Sequence, residues 1–161
     1  MAVTSAGILL FRLDPVGGVS VLIAHMGGPH WTAKDDGAWS IPKGEYDAGE
    51  EAALAAAKRE FREELGVEPP EADFAELGTF AYSSGKRVTV FVADGAGFAA
   101  SDPRFVYGEF ELEWPPRSGR RRSFPEVDRA EWMPVADARR RLVKGQRPAL
   151  DRLEELLAAT P

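Results

Sequence analysis

The stretch Gly44–Val67, GEYDAGEEAALAAAKREFREELGV, carries the decisive pattern of this chain. Leu54, Ala57, Phe61 and Leu65 recur at three- and four-residue steps, which predicts a helix over 50–65 with one apolar stripe. Gly66 supplies a left-handed stop, and Pro69-Pro70 blocks any continuation. At about 100° per residue, Glu60, Glu63 and Glu64 fall together on a side well away from that stripe. Like charges so spaced cost a helix about 0.2–0.5 kcal/mol per pair, so something must offset them. Arg59 and Arg62 are near enough to neutralise a solvated face. A hard divalent cation is the other solution, because Mg²⁺ takes oxygen ligands and commonly shares its shell with phosphates.

The residues around the glutamates sharpen the choice. Pro42-Lys43-Gly44, then Gly49-Glu50-Glu51, then a helix ending Arg59-Glu60-Phe61-Arg62-Glu63-Glu64-Leu65-Gly66-Val67, closely resemble the Nudix box of the Nudix hydrolase superfamily. That pattern is Gly, five residues, Glu, seven residues, then Arg-Glu-U-x-Glu-Glu-x-Gly-U, with U bulky and apolar; Arg59 to Val67 fits it throughout with Phe61 as U. The front half is one residue longer, and an insertion in the loop puts Glu51 at the first Glu position, since loops absorb extra residues more easily than helices. The resemblance implies an α/β fold, a Nudix-type α/β/α sandwich with a mixed central sheet. It implies hydrolysis of a nucleoside diphosphate linked to another moiety, with Mg²⁺ or Mn²⁺. Glu60, Glu63 and Glu64 then match catalytic, metal-binding glutamates. Gly44 matches a residue offering its backbone carbonyl to the metal, and Arg59 with Glu51 a supporting ion pair.

Working outward, Thr4–Arg12 and Val19–Met26 read as strands joined through Asp14-Pro15 and Gly17-Gly18. Phe74–Tyr82 and Arg87–Ala93 read as a hairpin around Ser84-Gly85, and Tyr107–Trp114 and Ala130–Val135 as further strands. The segment between those last two is polar and holds Arg117 and Arg120 to Arg122. Asp137–Leu142 and Pro148–Ala158 read as helices. Strands, helix, strands, helices is the order of a sheet between helical layers.

A chain of 161 residues and 17.6 kDa predicts one domain over 1–161. The formal charge of −6 argues against binding a nucleic acid duplex, which requires a basic footprint, while leaving small anionic ligands open. With no cysteine, thiolate chemistry and disulfides are excluded, which fits a cytoplasmic setting. The apolar run Ala6–Phe11 is too short for a membrane span of about 20 residues. The sequence is silent on oligomeric state.

A hydrolytic water needs a proton acceptor. His25 and His30 are the only histidines, and a lone histidine is more often structural, so the expected base is a carboxylate of the helix or one from elsewhere. Glu126, in the loop before the Ala130–Val135 strand, is the best-placed outside candidate; Glu109, Glu111 and Glu113 alternate and read as a solvated face. Lys43 and the run Arg120-Arg121-Arg122 are candidate phosphate contacts, with a solvated role open for each. Tyr82 is a candidate substrate contact; it, Trp31, Trp39 and Trp114 read equally as packing residues. The expected function is a metal-dependent pyrophosphohydrolase for a dinucleoside polyphosphate or nucleoside triphosphate. ADP-ribose or nucleotide-sugar hydrolysis, and a non-catalytic nucleotide-sensing module, are the alternatives.

Overall fold

The structure, a computed structural model, describes residues 4–99 and 107–159. Strand β1 (Thr4–Leu13) turns through Asp14–Gly18 into β2 (Val19–Met26). The turn is closed by the Asp14 N–H on the Gly18 carbonyl at 3.0 Å, and by the Ser20 hydroxyl on the Asp14 carboxylate. Short strands β3 (Trp39–Ser40) and β4 (Lys43–Glu45) follow, then helix α1 (Ala53–Leu65). Next come β5 (Ala75–Ala81), β6 (Arg87–Asp94), β7 (Glu109–Glu113), β8 (Arg121–Pro125) and β9 (Val127–Pro134). Helices α2 (Val135–Arg141) and α3 (Arg147–Ala158) close the order, with a single tight 3-10 turn (Lys144–Gln146) between them.

Among the described residues seven strands make the main sheet, ordered β3-β2-β1-β6-β5, with β4 beside β1 and β9 beside β2. β1 and β6 run parallel over their full overlap while the other pairs are antiparallel, so the sheet is mixed. Alternation along β1 sends Ala6, Ile8 and Leu10 to one face and Leu9 to the other. The first face packs on Ala56, Ala57, Phe61 and Leu65 of α1. The second packs on Ala138 of α2 and Leu150 and Leu153 of α3. The result is the expected α/β/α sandwich. Among the described residues no helix is long and apolar enough to cross a membrane.

One feature of the sheet makes room for chemistry. β1 and β2 pair only near their shared turn, at Phe11–Leu13 with Val19–Val21. Beyond it they splay, and the segment 39–45 fills the gap: Trp39 and Ser40 pair with β2, Lys43 to Glu45 with β1. The Ile8 N–H donates to the Pro42 carbonyl at 3.1 Å, across a face where Gly7 has no side chain to obstruct Lys43.

Two expectations are corrected. The helix starts at Ala53 rather than 50, because Gly49, Glu50 and Glu51 fold back onto Asp47: the Gly49 N–H reaches its carboxylate at 2.8 Å and the Glu51 N–H its carbonyl at 3.0 Å. The polar segment read between two strands itself contributes one. Arg121 and Arg122 open β8, which pairs with β7 in a two-stranded sheet of its own.

Gln146, fully buried, pins the inserted segment to the helical layer. Its Oε1 accepts from the Ile41 N–H at 2.7 Å, and its Nε2 donates to the Ser40 hydroxyl at 2.9 Å and the Tyr82 hydroxyl at 2.8 Å. Gln146→Ala should therefore cost about 1–3 kcal/mol, the penalty for stranding a buried donor. Urea denaturation of the variant checks this.

Candidate active site

The three box glutamates share one side of α1, and each has a different environment. Phe61 and Leu65 bury the opposite side, which fixes the helix rotation. Gly66 ends the helix in the left-handed conformation, its N–H donating to the Arg62 carbonyl at 2.8 Å. Glu60 lies in the space where a Cβ on Gly44 would stand, so glycine at this position is a packing requirement. Burial, then the neighbouring Glu63 and Glu126 charges, push its carboxyl above the usual range, with Arg59 opposing. Glu64 is more enclosed, and burial pushes its carboxyl up to about 8 despite the Lys43 charge. The Lys43 backbone N–H approaches its Oε2 at 3.3 Å. Glu63 points outward, with a side chain 56% exposed.

Arg59 organises the group. Its Nε and Nη2 grip the two oxygens of Glu51 at 3.0 and 2.9 Å, a bidentate fork. Its Nη1 donates to Glu60 Oε1 at 2.8 Å and lies 3.3 Å from Glu63 Oε2. Glu51 is drawn below the usual carboxylate range by this contact, and Arg59 is held more firmly protonated. The pairing fits the placement of Glu51, rather than Glu50, opposite Arg59. Arg62 takes no part, since it pairs with Glu68 at 3.1 Å.

Glu126 arrives from a distant part of the chain. Its N–H donates to the Gly108 carbonyl at 2.7 Å, and the Gly27 N–H donates to its carbonyl at 2.9 Å. Gly108 is wedged between the Glu63 carbonyl and the Glu126 carboxylate, so Glu126 stands over the end of α1. Its charge raises the proton affinity of both Glu60 and Glu64. Glu60, Glu64 and Glu126 thus come within electrostatic reach of one another where Gly44 and Lys43 bring the inserted segment to the helix, with Glu63 at the exposed rim. Among the described residues no three of them close ready-made around an ion position; Glu60 is turned onto Arg59 instead. The donor chemistry still fits a hard cation, with acceptor oxygens, two desolvated acids and mutual repulsion for a positive charge to relieve.

The remaining candidates divide. Tyr82 is not brought to the glutamates. It packs on the opposite sheet face, its ring against Gly145 and its hydroxyl accepting from Gln146. Arg120, Arg121 and Arg122 do not share one face either, because strand alternation turns Arg121 to the other side, 3.5 Å from Glu111. His25 is fully buried, with Nδ1 2.9 Å from Asp128 and Nε2 2.6 Å from the Lys34 carbonyl. Both nitrogens are spent on tethering the 27–38 loop to β9, so His25 is structural. Sequence reading missed this tether and the Gln146 contacts, for which no local signal exists. It also missed the seat of the β7–β8 hairpin on Gly28, for which the alternating Phe110, Leu112 and Trp114 were a signal.

The fold and box together define a Nudix hydrolase: the chain matches the NUDIX domain over residues 2–153 and belongs to that family. A 17.7 kDa protein from the e-segB intergenic region of Enterobacteria phage T4 is 35% identical over 92 residues, a match covering 56% of this chain and 58% of that protein. Among solved structures, a Caenorhabditis elegans Ap4A hydrolase in a binary complex superposes with a TM-score of 0.64 at 20% identity, covering 98% of each chain. The NUDIX domain of Shewanella oneidensis NrtR, complexed with ADP ribose, gives 0.63 at 16% identity, covering 98% of this chain and 89% of that one. RenU, a Nudix hydrolase of M. smegmatis, gives 0.59 at 24% identity, covering 98% and 87%.

The state of Glu64 makes a prediction for the metal-free protein. Its folded carboxyl holds a proton up to about pH 8, whereas the ordinary value is 4.5. The folded state therefore binds more protons between those values. The stability this confers is complete below about 4.5 and is lost as pH rises through 8. Glu64→Gln removes that loss, so in chelator the variant should melt higher than wild type at pH 8.5 and converge with it near pH 4.5. Thermal melts across this range are the check.

Proposed function

We propose that this Nudix hydrolase is a divalent-metal-dependent pyrophosphohydrolase whose substrate is a dinucleoside polyphosphate or a nucleoside triphosphate. The observation that carries the reading is the meeting of Glu60, Glu64 and Glu126 at the Lys43-Gly44 segment, two of them desolvated and all within mutual electrostatic reach. Nudix hydrolases in general use divalent metals. Glu60, Glu63, Glu64 and the Gly44 carbonyl would hold the ion here, Mg²⁺ or Mn²⁺. When bound, such an ion neutralises phosphate oxygens and lowers the pKa of a coordinated water.

The chain's own groups do the rest. Arg59 is a positioning residue: its fork on Glu51 fixes the loop, and its third donor keeps Glu60 in the space left by Gly44. Lys43, half-buried beside Glu64, offers its ammonium to a phosphate oxygen. Glu126 is exposed and belongs to neither the helix nor the Arg59 network. It takes the proton of the attacking water, with Glu64 enclosed beside it as a ligand for the ion. The binary-complex Ap4A hydrolase among the similar structures supports the polyphosphate choice, and the NrtR domain with ADP ribose supports a diphosphate of that class as the second choice.

A substrate panel of dinucleoside polyphosphates, nucleoside triphosphates, ADP-ribose and nucleotide sugars, assayed with Mg²⁺ and with Mn²⁺, tests the assignment. Release of a nucleoside phosphate by anhydride cleavage is expected, with loss of turnover in chelator and recovery on adding the metal. Glu64→Gln and Glu126→Gln should each lower kcat by ~10²–10⁴-fold, the usual cost of a lost ligand or base. Glu113→Gln, on the exposed hairpin, should leave it unchanged.

A further inference from the structure

The β7–β8 hairpin has two chemically different faces. Its register pairs Phe110 with Phe124, Leu112 with Arg122 and Glu113 with Arg121, and the Trp114 N–H continues the ladder onto the Arg120 carbonyl at 2.9 Å. Alternation therefore gathers Phe110, Leu112, Trp114, Phe124, Arg122 and Arg120 on one face. Glu109, Glu111 and Glu113 lie on the other, with Arg121 against Glu111 and the Ser123 hydroxyl donating to Glu109. The aromatic face carries two guanidinium groups and no acid.

That face looks onto the loop following β2 and is continuous with the acidic centre. Phe110 and Phe124 seat over Gly28, where a Cβ would stand 2.8 Å from the Phe110 ring. At the root of the hairpin, Gly108 and Glu126 are the residues already placed over the end of α1. At the far end the Trp114 ring meets the exposed His30 ring edge-on, with centroids 5.5 Å apart. Arg122 lies between, two register pairs from the phenylalanines and with its guanidinium 5.7 Å from the Phe124 ring centroid. From Gly108 to Trp114 a strand covers roughly 20 Å, so the far end lies beyond the reach of groups at the glutamates.

We infer that this hairpin is a recognition arm for the distal nucleoside of a dinucleoside polyphosphate, with Trp114 stacking its base, His30 bracing that ring edge-on, and Arg122 holding the phosphates that lead to it. The inference rests on the proposed hydrolase reading and deepens it. An aromatic platform suits a planar base of any sequence, and a guanidinium suits a phosphate, so one face supplies both halves of a nucleotide's recognition. Arg121, turned away and paired with Glu111, has no part in it.

Calorimetric binding of a methylene-bridged, non-hydrolysable dinucleoside tetraphosphate, set beside the matching nucleoside diphosphate, tests the arm independently of turnover. Trp114→Ala and Arg122→Ala should each weaken the dinucleotide about 10-fold, within the range that base stacking and charged contacts confer, and leave the nucleoside diphosphate unchanged. Arg121→Ala should alter neither. Arg122 is exposed, so its replacement reads binding even where the tryptophan variant is poorly folded. Equal weakening of both ligands, no weakening of either, or wild-type protein binding the dinucleotide no more tightly than the diphosphate overturns the arm. Binding as expected without hydrolysis by wild type would sink the catalytic reading and leave the arm standing. Hydrolysis with unaltered binding by the arm variants does the reverse.

Discussion

Arg59 stands among carboxylates that repel one another, and its three donor nitrogens decide how they are arranged. Two are committed to Glu51 as a fork, and the third reaches Glu60 at 2.8 Å and Glu63 at 3.3 Å. Because the fork is planar and rigid, fixing Glu51 also fixes where the third donor points. The loop that carries Glu51 is thereby locked to the helix that carries Glu60. A lysine in this place would supply the charge without the geometry. Glu64, out of Arg59's reach, keeps its proton affinity high because only the Lys43 side of the site offsets its burial.

The arrangement also depends on a sheet that declines to pair fully. Had β1 and β2 run together along their whole length, no edge of β1 would have been free for Lys43–Glu45. The splay has a cost, since the inserted segment must satisfy its own backbone groups. It does so through Ile8 with Pro42, and through the buried amide of Gln146 with Ile41. His25 performs a similar service on the neighbouring loop, holding the Lys34 carbonyl and Asp128. Polar side chains in the core here act as ties between segments far apart in sequence.

Local periodicity made much of this legible in advance. The apolar stripe and the glutamate side of α1 follow from a period near 3.6, and the cores of β1, β2 and β6 from runs of branched and aliphatic residues. The Glu51–Arg59 pair was legible because both ends lie within one short segment. Glu126 was visible only as an acid in a suitable loop, since its position over α1 depends on the register of β9 against β2 and on a backbone bond to Gly108. The arginine run misled for a physical reason: consecutive like charges look like one patch, yet a strand sends neighbours to opposite faces. Tyr82 misled likewise, because a residue at a hairpin end has no local mark of which sheet face it will join.

The β7–β8 ladder is a sheet apart from the main one, and among the described residues it meets the catalytic framework chiefly at its root and at the glycines following β2. Its tip therefore has latitude that the box does not. No residue of 112–122 contributes to the β1–β2 splay, the Arg59 network or the seat of Glu60. On the reading that this ribbon holds the ligand, preference can drift while the box stays constant, and one core can serve a succession of substrates by rebuilding a single ribbon.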